Sequence, residues 1–143
     1  METRDIRTLE QLGNAAEEVL HIPASHGEAR ILALSGNLGA GKTAFVKQLA
    51  KHLGIPEEIT SPTFVVMKSY AIPSHERFKT LTHIDAYRIE SPDEMRVLGW
   101  NELCADAERL IAVEWPERIA EIMPERAHTI GFALQGEDRT ITF

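Results

Sequence analysis

Residues 36–43 read Gly-Asn-Leu-Gly-Ala-Gly-Lys-Thr and satisfy the spacing G-x-x-x-x-G-K-[ST]. The chemistry this spacing suits is the holding of a phosphate chain. A triphosphate is a dense negative charge, and backbone N–H groups converging on one hollow can receive it. Glycines at Gly36, Gly39 and Gly41 let the chain turn that way, with Asn37, Leu38 and Ala40 between them. A helix opening directly behind the loop adds its positive end. Lys42 is then expected to reach the β- and γ-phosphates, and the Thr43 hydroxyl to bind Mg²⁺. The phosphate loop does not name the base. The N-K-x-D guanine motif is absent, and the D-x-x-G switch is not met, because the run from Asp85 to Arg88 reads Asp-Ala-Tyr-Arg. ATP is therefore the expected nucleotide.

A nucleotide-bound Mg²⁺ calls for a further acid at the end of a neighbouring strand. Asp85 ends LTHID and Glu114 ends RLIAVE, two apolar runs, and either acid is a candidate for the direct metal ligand. Thr60, Ser61 and Thr63 cluster about twenty residues behind the loop, where hydroxyls can touch the γ-phosphate or its metal. His83 and Asp85 share one strand face, but a third ligand at suitable spacing is missing. Zinc is not expected, and His83 reads as structural or hydrogen-bonded. Trp115 follows Glu114 directly and either packs the site, presents a face to a partner, or serves as a core tryptophan. Trp100 reads as core.

These residues need a scaffold. Residues 2–7 suit a short strand. Thr8 caps a helix carrying Leu9, Leu12, Ala16, Val19 and Leu20 at helical spacing, closed by Pro23 and Gly27. ILAL (31–34) suits a strand buried on both faces. After the glycine loop, residues 43–53 suit a helix with Phe45, Val46, Leu49, Ala50 and Leu53 on one face. Strands are expected at 64–70, 81–85 and 109–114. Ser91, Pro92 and Glu94 read as cap, first helical position and capping box of another helix, and WPERIAEIM begins a short one. HTIGFALQ and RTITF alternate around Gly136 and predict a closing antiparallel hairpin. The expected fold is α/β, P-loop NTPase-like, with a mostly parallel sheet flanked by helices, in one domain over residues 1–143.

The bulk numbers narrow the function. With 143 residues, 43% of them hydrophobic, the chain can bury one sizeable core. Acids outnumber bases 22 to 15, and a net charge of −7 argues against holding nucleic acid unaided. Cys104 is the only cysteine, so no internal disulfide forms. The start METRDIRTLEQL carries no apolar signal core and no segment suits a membrane span, so a cytoplasmic location is expected.

Four motifs in order, GNLGAGKT (36–43), SPTF (61–64), HIDAYR (83–88) and VEWPER (113–118), resemble the bacterial TsaE family. That family is the ATPase needed for making threonylcarbamoyladenosine in tRNA. The resemblance runs from the first helix to the closing strands. It implies a P-loop fold that binds ATP and Mg²⁺, hydrolyses ATP weakly alone, and resets the TsaB–TsaD pair, with TsaD as the transferase. TsaB and TsaD would supply most of the tRNA contact. By motif, the nucleotide-binding set is Gly36 through Ala44 together with Trp115. Thr43 and Glu114 hold the metal. Asp85 serves hydrolysis, with Lys42 and with Thr63 of a switch-like segment. The start of the chain, around Asp5 to Thr8, lies by the adenine. Asn37 stands where the family often has an acid, and Ala44 where it has a second threonine. The competing readings are a small-molecule kinase, for which no long arginine-bearing lid is present, and a nucleotide-sensing assembly module that does not hydrolyse.

Overall fold

The computed structural model describes residues 2–24, 27–37 and 40–143. The elements run β1 (Thr3–Ile6), α1 (Leu9–Leu20), β2 (Arg30–Gly36), α2 (Lys42–His52), β3 (Met67–Ala71), β4 (Thr80–Asp85), α3 (Pro92–Val97), α4 (Trp100–Ala105), β5 (Arg109–Glu114), a 3₁₀ segment (Pro116–Ile122), β6 (His128–Gln135) and β7 (Asp138–Thr142). They form an α/β fold with one seven-stranded sheet in the order β1-β7-β6-β2-β5-β4-β3.

The sheet is mixed, not mostly parallel. The central strands β6, β2, β5 and β4 run parallel, while β3 pairs antiparallel with β4, β7 with β6, and β1 with β7. The reason is connection length. A parallel crossover needs about a dozen residues or more. Only residues 72–79 join β3 to β4, and only Gly136 and Glu137 join β6 to β7, so both pairs must turn back on themselves.

Period-two alternation along the central strands divides the core into two layers. Leu32, Leu34, Leu81, Leu110 and Ala112 face α1 and α2, where Leu12, Ala16, Phe45, Val46 and Leu49 meet them. Ile31, Ile84, Ile111 and Val113 face the other way, onto Met95, Trp100 and Ile119. Both faces are covered, which is why these strands read as continuous apolar runs. His83 and Asp85 share the parity of Leu81, and Glu114 that of Leu110 and Ala112. All three polar side chains therefore lie on the α2 face of the sheet.

Several local expectations change. Thr8 caps α1 through a capping box with Gln11, yet Leu9 is 69% exposed, and Ala15 joins the buried face instead. Ser91 caps α3 by accepting from the Asp93 amide; Glu94 completes no box. The strand expected at 64–70 begins only at Met67. The amide of Val66 turns back to the Pro62 carbonyl at 2.7 Å, and Val66 takes φ +67°, so the chain cannot extend there. WPERIAEIM forms the 3₁₀ segment, broken at Ile119. No helix among the described residues is long and apolar enough to cross a membrane.

Trp100 is 2% exposed and its indole N–H donates to the Ile122 carbonyl at 3.1 Å. It joins α4 to the 3₁₀ segment behind Glu114. Trp100→Ala is expected to cost roughly 3–5 kcal/mol, the usual range for emptying a buried aromatic site. Urea unfolding checks this, and a loss below about 1 kcal/mol would show that the layer repacks without the ring.

Candidate nucleotide and metal site

Three parallel strands end in register. Asp85 lies opposite Glu114, and Glu114 opposite Leu34, so the two acids project side by side at the carboxyl edge of the sheet. Ligands bind at that edge in open α/β sheets. The glycine segment leaves β2 at the same edge and delivers the chain to α2. Gly36 must be glycine because a Cβ there would stand 2.5 Å from the Phe132 carbonyl oxygen on β6. Gly41 takes φ +104° as the N-cap of α2 and gives that helix no side-chain cap. The first amides of α2 are thus left for an external acceptor, the fit expected of an anion. The Asn37 carbonyl accepts from the Ala40 amide at 3.1 Å. Leu38 and Gly39 of the expected nucleotide set lie outside the described residues.

The side chains converge through short polar contacts. The Thr43 hydroxyl donates to Glu114 Oε2 at 2.9 Å, across 71 residues of sequence. His83 Nε2 lies 2.6 Å from that same oxygen, with both residues buried. Glu114 Oε1 makes no hydrogen bond among the described residues. The Thr63 hydroxyl donates to Asp85 Oδ2 at 3.1 Å, and the Tyr87 amide to Asp85 Oδ1 at 3.0 Å. Lys42 is buried. Its Nζ donates to the Gly36 carbonyl at 2.7 Å and lies 3.9 Å from the centre of the Trp115 ring. Burial pushes the Lys42 ammonium down from its usual range, and Glu114, Glu117 and Asp85 pull the other way without cancelling it.

Among the described residues no three or more His, Cys, Asp or Glu side chains are grouped to hold a metal. A cation here would take a carboxylate and a hydroxyl from the chain and its other ligands from phosphate and water. That is how Mg²⁺ is commonly bound. Thr43 and Glu114, already in contact, fit that role, and Asp85 stands beside them on the next strand.

The hydroxyl cluster divides. Ser61 Oγ lies 2.7 Å from Thr63 Oγ1 and so backs the Asp85 contact, whereas Thr60 accepts from Lys68 Nζ at 2.7 Å instead. His83, expected to be structural or hydrogen-bonded, has Glu114 as its partner. Two residues gain roles that sequence reasoning did not give them. Tyr87 fixes Asp85 through its amide, and its ring centre sits 5.1 Å from that of Trp115. Glu117 adds charge near Lys42. On the other side of α2's start, Ala40, Gly41 and Ala44 share a cavity of about 690 Å³ with Arg7, Thr8 and Arg139.

The class defined by this geometry is an α/β protein with a mixed seven-stranded sheet, whose acids and glycine segment meet at the carboxyl edge of its parallel core. Comparison with known proteins is consistent throughout. The family model described as threonylcarbamoyl adenosine biosynthesis protein TsaE matches residues 3–141. The tRNA threonylcarbamoyladenosine biosynthesis protein TsaE of Treponema pallidum is 42% identical over 116 residues, 80% of this chain and 82% of that protein. Its namesake in Bacillus subtilis is 40% identical over 114 residues, 79% of this chain and 68% of that protein. The crystal structure of Bacillus subtilis YdiB superposes with a TM-score of 0.73 at 26% identity, covering 98% of this chain and 82% of that one. The chain belongs to the TsaE family, whose work is threonylcarbamoyladenosine biosynthesis in tRNA.

Proposed function

We propose that the chain is a single P-loop ATPase domain, residues 1–143, that binds ATP with Mg²⁺ and hydrolyses it in the service of tRNA threonylcarbamoyladenosine synthesis. The observation that carries this reading is the 2.9 Å contact between the Thr43 hydroxyl and Glu114 at the uncapped start of α2. A hydroxyl and a carboxylate suited to a cation thus meet beside a segment suited to phosphates. Gly36 through Ala44 would line the phosphates, with Leu38 and Gly39 carried from the sequence pattern alone. Lys42 would neutralise the β- and γ-phosphates, Thr43 and Glu114 would hold Mg²⁺, and Asp85 with Thr63 would orient the attacking water. Trp115 would cover the phosphates from the Lys42 side. The 690 Å³ cavity beside Ala40 and Ala44 is suited to the base, since Arg7 and Thr8 reach it from the start of the chain.

The protein partners we infer are TsaB and TsaD, in the cytoplasm. Phe64, 84% exposed, Val65 and Tyr87 present apolar surface next to Thr63 and Asp85, where a docking protein could sense or complete the nucleotide site. The net charge of −7 supports leaving most tRNA contact to those partners.

The deciding experiment is ATP turnover by the purified chain, alone and with a TsaB–TsaD pair, with Lys42→Ala as control. Stimulation that the variant abolishes supports the proposal. ATP binding without turnover, even with the pair, would favour a nucleotide-dependent assembly module. The metal role has its own check. Glu114→Gln is expected to weaken ATP binding about tenfold or more in Mg²⁺, by removing a charged ligand, and to leave affinity in EDTA nearly unchanged. Equal losses in both buffers, measured by calorimetry, would remove Glu114 from the metal.

A further inference from the structure

A second cavity, about 880 Å³, opens at the other edge of the sheet. Arg30, which lines it, is the first residue of β2, whereas Gly36 of the phosphate loop is the last. The strand separates the two places by roughly 20 Å, at about 3.3 Å per residue. This cavity is therefore independent of the nucleotide site, and its volume lies within the range of small-molecule pockets.

Its lining has a definite order. Leu32, Leu53, Leu110 and Phe78, all buried, supply apolar surface. Arg30 and His75, partly buried, supply donors. Arg30 Nη1 donates to the Ile22 carbonyl at 2.9 Å, and the guanidinium has no ion pair among the described residues. Burial, with a smaller contribution from the Arg77 guanidinium, pushes the Arg30 pKa down. A part-buried cation with no ion pair gains by accepting an anion. The amides of Arg77 and Phe78 both donate to His75 Nδ1 at 3.0 Å, so the proton of the neutral ring sits on Nε2 as a further donor. The His75 ring stacks on Phe78, centres 5.1 Å apart and planes at 23°, giving a planar wall. Glu17, Glu76 and Glu108 also line the cavity but are exposed. They repel polyanions such as nucleic acid and admit a ligand whose outer end is neutral or cationic.

We propose that this cavity binds a small organic anion, its carboxylate or phosphate head on Arg30 and His75 and its apolar body against Phe78 and the leucines. The two head groups share one recognition chemistry, and the test separates them.

The full-length chain, free of Mg²⁺ and nucleotide, is titrated with benzoate, phenyl phosphate and benzyl alcohol while backbone amide resonances are followed. Saturable shifts at Arg30, Arg77 and Phe78 are expected with benzoate or with phenyl phosphate, and none with benzyl alcohol. Response to benzoate alone assigns a carboxylate ligand, and to phenyl phosphate alone a phosphate ligand. Arg30→Gln should weaken binding about tenfold or more, and Lys42→Ala should leave it unchanged. If Arg30→Gln fails to fold, Arg30→Lys, which keeps the charge but loses the forked donor pair, should bind several-fold more weakly. Shifts confined to residues 36–44, equal affinity in the Arg30 variant, or no saturation with either anion would overturn the proposal.

Discussion

Asp85→Asn is expected to lower ATP turnover by about 10²-fold or more, in line with the loss of a positioned acid–base group, while ATP affinity stays within about threefold. The prediction rests on how completely this carboxylate is held. Thr63 donates to one oxygen and the Tyr87 amide to the other, and the Asp85 amide itself donates to the Val66 carbonyl. Asparagine fits the same space and still accepts one of the two side-chain bonds, so the fold and the phosphate loop are left intact. It cannot accept both, and it carries no negative charge to orient water or attract its proton. Single-turnover kinetics with the partner pair, beside calorimetric ATP binding, separates the outcomes. Affinity falling in step with turnover, and only in Mg²⁺, would make Asp85 the direct metal ligand in place of Glu114. Turnover near the wild-type rate would take Asp85 out of hydrolysis.

The site was legible where it depends on local pattern. The loop spacing from Gly36 to Thr43 and the apolar runs ending in Asp85 and Glu114 single out residues that the fold brings to one sheet edge. Alternation also encodes that His83 and Asp85 share a face; that Glu114 shares it follows from the β4–β5 register. What the sequence does not carry is which oxygen takes which donor. The contacts from Thr43 and His83 to Glu114 span 71 and 31 residues, so they follow from strand order and not from spacing. Strand order hides the sheet's mixed character too, since an apolar run reads alike in either direction. Leu9, on the expected apolar face, is exposed and lines the 690 Å³ cavity instead of the core. Thr60 and Thr63, three residues apart with similar side chains, part company because Lys68 claims one and Asp85 the other. The second cavity was invisible, as Arg30 and the stretch His75–Phe78 lie more than forty residues apart and match no motif.

Backbone strain marks the same region. Val66 and Trp115 are the non-glycine residues with positive φ among those described, and each is adjacent to a site acid through the backbone. Val66 receives the Asp85 amide, and Trp115 follows Glu114, whose carbonyl accepts from Ala86 at 3.0 Å. A left-handed β-branched residue costs on the order of 1–3 kcal/mol and persists only where surroundings enforce it. Here the enforced turn at Val66 ends the extended chain before β3, so that Thr63 lies against Asp85. The turn at Trp115 swings its ring over Lys42. The strained positions and the candidate-site contacts are thus one construction: the backbone departs from regular strand where Thr63 meets Asp85 and Trp115 meets Lys42.

Lys42→Ala should accordingly separate binding from stability. ATP affinity is expected to fall about 10- to 100-fold, the range for one charge-assisted contact to phosphate. The free energy of urea unfolding without nucleotide should change by less than about 1 kcal/mol in either direction. The near-neutral effect follows from opposing terms. The ammonium gives up a hydrogen bond to Gly36 and a ring contact with Trp115, but its removal also relieves the burial that already pushes its pKa down. With a triphosphate present, the same cation gains a multiply charged partner in a site that water reaches poorly, and the balance turns strongly favourable. A variant that binds ATP normally would dismiss Lys42 as a phosphate ligand. One that unfolds easily without nucleotide would show that the lysine holds the loop shut rather than waiting for phosphate.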